Sequence, residues 1–105
     1  MQNISVDELK SRLDRGEKIN LIDVREPAEY AEFNIGGKLI PLGQIQAMQI
    51  DEIEVLKDEE VILHCRSGNR SMIGCLFLET LGFQNTKNLT GGVKEWQEKF
   101  VKESY

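Results

Sequence analysis

Four mostly apolar residues in the segment VILHCRSGNRS, Val61 to Ser71, deliver a cysteine into a loop carrying two arginines, a glycine and two serines. A thiol attacks only as the thiolate, and an unperturbed cysteine is only about 7% ionised at pH 7.4. The loop has the means to change that. Gly68 and Asn69 are expected to take left-handed conformations that curl successive N–H groups inward as an anion nest. Arg66 and Arg70 add positive charge, and a helix beginning near Ser71 presents its positive end. Cys65 is therefore the candidate nucleophile. Arg66, Ser67, Gly68, Asn69, Arg70 and Ser71 are the candidate binders of an anionic guest or an anionic sulfur.

The neighbouring reactive side chains read differently. Consecutive strand residues point to opposite faces, so His64 is predicted to turn away from the Cys65 sulfur and to act as a packed or solvated strand residue. Cys75 falls within an all-round apolar helical stretch, where a small hydrophobe is wanted. Asp23 and Arg25, in D-V-R-E, are candidates for bracing the catalytic loop through hydrogen bonds. Trp96 and Phe100 are read as core contacts, and the run Asp58 to Glu60 as a solvated turn.

The loop must be held by regular elements, and the chain alternates them. S-V-D-E at Ser5 to Glu8 has capping-box spacing, with Val6, Leu9 and Leu13 at helical intervals before Gly16. Ile19 to Val24 reads as a buried strand, and Pro27 opens a short second helix. K-L-I-P-L is a brief strand closed by Pro41, and Gly43 to Leu56 is apolar at roughly helical spacing. V-I-L-H is a strand leading to a helix from Ser71 to Gly82. N-T-K-N-L makes a last strand, and Gly91-Gly92 turn the chain into an amphipathic C-terminal helix. This order predicts one open, largely parallel α/β sheet covered on both faces, with chemistry outside the carboxyl ends of the strands.

Composition narrows the classes of function. The 105 residues suit a single domain over 1–105. A net charge of −5 argues against an extended basic face for nucleic acid or anionic lipid. No stretch is apolar for long enough to span a bilayer, and MQNISVDELK is unlike a targeting signal, so a cytoplasmic location is expected. Two cysteines ten residues apart and one histidine offer neither a disulfide framework nor a zinc site, and no metal is expected.

L-I-D-V-R-E-P-A-E-Y, then C-R-S-G-N-R-S, L-G-F and N-L-T-G-G-V-K-E-W together resemble the rhodanese-like single-domain sulfurtransferases, over nearly the whole chain. The resemblance implies a three-layer α/β/α domain with a mostly parallel sheet of about five strands. It also implies a catalytic cysteine in a six-residue loop, Cys65 to Arg70, and maps the family's D-V-R motif onto Asp23 and Arg25. One segment departs: where the family commonly reads G-H-I-P-G-A, this chain reads F-N-I-G-G-K, with Asn34 for histidine and Gly36 for proline, and a looser local turn is expected.

The expected activity is sulfur transfer through a persulfide on Cys65, from a small anionic donor such as thiosulfate to cyanide, a small thiol or a protein thiol, without a cofactor. Two alternatives stand beside it. A cysteine-dependent phosphatase or arsenate reductase would share H-C followed by glycine, arginine and serine. That signature needs five residues between cysteine and arginine to wrap a phosphate, and only four lie between Cys65 and Arg70. A non-catalytic binding module is the other, and the retained Cys65 argues against it.

Overall fold

Short runs of aliphatic residues become the strands of one sheet. The structure, a computed structural model, describes residues 1–101; the last four positions of the domain expected over 1–105 lie outside the described residues. The strands are β1 (Gln2–Ile4), β2 (Leu21–Asp23), β3 (Lys38–Leu39), β4 (Glu60–His64) and β5 (Asn85–Leu89). They lie in the order β1-β5-β4-β2-β3, and every pairing is parallel. β4, carrying Val61, Ile62 and Leu63, therefore sits in the middle and points its carboxyl end at Cys65.

Helices cover both faces, as the alternation predicts. They are α1 (Val6–Asp14), α2 (Pro27–Glu32), α3 (Leu42–Gln46), α4 (Asn69–Thr80) and α5 (Gly92–Phe100), with a 3-10 turn at Asp51–Leu56. Ser5 caps α1 by accepting the Glu8 N–H at 3.1 Å. Strand alternation divides the core in two. Val61, Leu63 and Cys65 join Ile22, Val24, Ile45, Cys75 and Leu78 under α3 and α4. Ile62 joins Leu21, Leu89, Leu9 and Trp96 under α1 and α5. On the first face, a Cβ on Gly74 would meet the Leu63 side chain at 2.9 Å, so the absent side chain lets α4 lie close on β4.

Four local expectations are corrected. β1 was not anticipated: of its three residues only Ile4 is buried, too little pattern to read. Gly43 to Leu56 is not one helix, because the chain turns at Met48, which takes φ +59°, and the Gln44 side chain caps the turn by donating to the Gln49 carbonyl at 2.8 Å. The segment instead forms α3 and the 3-10 turn at Asp51–Leu56. α4 begins at Asn69, two residues earlier than predicted, so Gly68 alone is left-handed, at φ +100°, and Asn69 is already helical.

The F-N-I-G-G-K segment is tied rather than loose. Asn34 donates to the Tyr30 carbonyl at 3.1 Å and accepts the Gly36 N–H at 3.0 Å. Gly36 takes φ +93°. A proline there could neither donate that N–H nor adopt that φ, so the two replacements, Asn34 and Gly36, fit each other.

Candidate active site

Cys65 follows the last residue of β4 and its sulfur lies at the base of the loop, only 1% exposed. The loop folds its amides onto it: Gly68 N–H reaches Sγ at 3.2 Å and Ser71 N–H at 3.4 Å. The left-handed Gly68 makes that curl possible. The Ser71 hydroxyl stands 3.4 Å from Sγ. It also donates to Oδ1 of Asn88, whose amide nitrogen in turn donates to the Gly68 carbonyl at 3.2 Å. Asn88, on β5, thus holds both ends of the turn.

These donors decide the electrostatics. Burial alone would raise the Cys65 thiol; hydrogen bonds from the Ser71 hydroxyl and the loop amides outweigh it, and the thiol lies below the ordinary cysteine value. Cys75, equally buried, lacks such amides, and burial pushes it up to about 12. Two thiols one helical segment apart are therefore driven in opposite directions.

The arginines contribute differently from the expectation. Arg70 points its fork at Glu29 on α2, with Nη1 at 2.7 Å from Oε1 and Nη2 at 2.9 Å from Oε2. Arg66 is exposed and has no carboxylate partner among the described residues. Neither supplies the main stabilisation of the sulfur, which comes from main-chain N–H groups and a hydroxyl.

Asp23 and Arg25 are brought together, but not onto the loop. Arg25 donates to both Asp23 oxygens, at 3.0 and 2.8 Å, and to the Phe33 carbonyl at 2.6 Å. Both are buried. Their bonds fasten the C-terminal end of α2, at Phe33, to the end of β2, which helps set where Glu29 stands. His64 faces this side, as strand alternation requires, with Nε2 3.8 Å from Asp23 and no hydrogen-bond partner on either ring nitrogen. Burial pushes its pKa down to about 4.

The loop is braced instead by the start of α5. Val93 N–H donates to the Cys65 carbonyl and Lys94 N–H to the Arg66 carbonyl, each at 2.9 Å. Gly92 makes the approach possible, since a Cβ there would lie 2.5 Å from both carbonyl oxygens. Arg25, Glu29, Glu32, Phe33, Arg66, Val93, Lys94 and Gln97 line a cleft of about 370 Å³ beside this junction. Three residues of the site were not singled out from sequence: Glu29, Asn88 and Gly92. All three lie inside the quoted motifs, Glu29 in L-I-D-V-R-E-P-A-E-Y and Asn88 and Gly92 in N-L-T-G-G-V-K-E-W, but no role in the site was read for them there. Among the described residues no helix is long and apolar enough to cross a membrane.

Comparison with known proteins agrees with this geometry. The Rhodanese-like domain profile matches residues 5–99. YtwF of Bacillus subtilis is 39% identical over 99 residues, covering 92% of this chain and 91% of that protein. A sulfurtransferase of Allochromatium vinosum is 36% identical over 97 residues, covering 91% of this chain and 88% of its own. The same stretch makes up only 51% of a longer Bacillus subtilis relative, YrkF. The crystal structure of a rhodanese-like domain protein from Staphylococcus aureus superposes with a TM-score of 0.82 at 28% identity, over the full length of both chains.

Proposed function

The chain belongs to the rhodanese-like domain family, and from that premise we propose that it is a sulfurtransferase working through a persulfide on Cys65. One observation carries the reading: Cys65 and Cys75 are both buried, yet only Cys65 is met by N–H groups that favour its ionised form. An inert core cysteine has no use for such a nest. The relative named sulfurtransferase supports the reaction class.

The steps balance without a cofactor. The Cys65 thiolate attacks the outer sulfur of thiosulfate; a new S–S bond forms, the old one breaks with its electron pair, and sulfite leaves. The terminal sulfur of the persulfide then carries the negative charge. An acceptor nucleophile, such as cyanide or a small or protein thiol, takes that sulfur and restores the thiolate. The amides of Ser67, Gly68 and Ser71 face the charge at both stages, and Arg66 on the cleft wall offers a cation to the departing anion. Because Cys65 is 1% exposed, the loop must open slightly to admit the donor. A cytoplasmic setting would keep the thiol reduced between cycles.

Incubation with thiosulfate followed by intact-mass measurement tests this reading. One added sulfur on the wild type, absent from Cys65→Ser and removed by cyanide as thiocyanate, is the expected result. A mass that never changes, with any of thiosulfate or an organic polysulfide as donor, would reject it.

A further inference from the structure

We propose that Glu29 is a specificity-determining residue of this site, disfavouring small dianionic donors by keeping Arg70 in a closed ion pair; the inference rests on the sulfurtransferase reading. An arginine beside a reactive loop is ordinarily the group that grips an incoming sulfonate, because its fork matches two oxygens at once. Here both arms of that fork are already taken, at 2.7 and 2.9 Å.

The carboxylate is itself fixed. Oε1 also accepts the Glu26 N–H at 3.0 Å, at the start of α2. Hydrogen bonding from Arg70, against the cost of burial and with the help of that amide, holds the Glu29 carboxyl down at about 2. Protonation therefore cannot release Arg70 at any physiological pH. The two side chains are about equally open to solvent, at 35% and 34%, and Glu29 lines the cleft, so its carboxylate meets whatever enters there.

The other charges around the pair are mixed. Arg25 lines the cleft but is committed to Asp23. Arg66 and Lys94 are the cations lining it that have no carboxylate partner among the described residues, and Glu32 is a second carboxylate on the wall. A small dianion near the loop must either displace Glu29 from Arg70 or sit against its oxygens. An organic persulfide or polysulfide, whose charged groups lie away from the reacting sulfur, meets neither obstacle.

The test measures binding rather than turnover. In a Cys65→Ser background, which performs no sulfur chemistry, titration calorimetry compares thiosulfate binding with and without Glu29→Gln. The substitution keeps an acceptor for the Glu26 N–H while removing the charge that holds Arg70. Affinity is expected to rise about tenfold, equivalent to about 1.4 kcal/mol, and the gain to vanish when Arg70→Ala is added. Glu29→Ala carries the same expectation, so loss of the fold in one variant leaves the other to decide. Equal or weaker affinity in the folded variants would overturn the proposal. Absence of sulfur loading on wild-type Cys65 would instead count against sulfur transfer, since the binding measurement does not depend on it.

Discussion

The Ser71 hydroxyl has a single proton and two acceptors within reach, Oδ1 of Asn88 and, at 3.4 Å, the Cys65 sulfur. Asn88 is oriented by its own bond to the Gly68 carbonyl, which leaves Oδ1 as the acceptor facing Ser71. While Cys65 is a thiol, its S–H can donate to Ser71. Once it ionises, the hydroxyl stabilises it only by turning away from Asn88. Asn88→Asp strengthens the competing acceptor and adds negative charge beside the loop. The pH at which iodoacetamide modification of Cys65 reaches half its maximal rate should move upward. Ser71→Ala should move it the same way, with modification at pH 7 slowed roughly three- to tenfold, as expected for about 1 kcal/mol. An unmoved midpoint in both variants would remove Ser71 and Asn88 from control of the thiol.

Gly92 offers a backbone test of the same loop. Its φ is +57°, and an added Cβ would meet the Cys65 and Arg66 carbonyl oxygens at 2.5 Å. These are main-chain atoms that cannot swing aside. Gly92→Ala should destabilise the protein by about 2 kcal/mol or more, through strain and loss of the α5-to-loop hydrogen bonds. Urea unfolding reads the stability, and sulfur loading of the folded fraction reads the loop. A variant as stable as the wild type would show that α5 can move back at little cost.

His64, the single histidine of the chain, predicts the acid dependence of stability. Burial lowers its pKa from the ordinary 6.5 to about 4 in the folded state. Between those values the unfolded chain binds a proton that the folded chain refuses, so stability falls as pH drops through the window. The full loss amounts to about 3 to 4 kcal/mol, from roughly 1.4 kcal/mol per pH unit. Thermal melts of the wild type should slope downward from pH 6.5 to pH 4.5, and His64→Leu should flatten that slope. Parallel slopes in the two proteins would assign the effect to carboxylates.

Chemistry concentrated within a few residues is what the sequence made readable. Cys65, Gly68 and Ser71 act through atoms within one turn of chain, and strand alternation alone turned His64 away from the sulfur. A largely parallel sheet followed from the alternation of elements, which gave four of the strands; the count of about five came from the family resemblance. Glu29 could not be paired with Arg70 in advance, because 41 residues separate them and many carboxylates were available. Asn88 was hidden for the same reason, being 17 residues from the serine it holds. β1 is too short and too exposed to show a pattern. The break at Met48 depends on a side-chain cap that apolar spacing does not encode.

The Arg70–Glu29 pair turns one substitution into two effects. Arg70→Ala removes a cation near the sulfur and also leaves Glu29 without its cationic partner on the cleft wall, where an ordinary carboxyl is still ionised at neutral pH. Both changes disfavour an approaching anion, and both disfavour the thiolate. Thiosulfate turnover should fall about ten- to a hundredfold, or 1.4 to 2.7 kcal/mol of barrier. Restoring neutrality with Glu29→Gln should recover part of that loss, because the unpaired charge is removed even though the cation is not returned. Arg66→Ala, which breaks no ion pair, should cost less than Arg70→Ala. The reverse order in steady-state thiocyanate assays would make Arg66 the principal anion-binding residue and confine Arg70 to holding α2 against the loop.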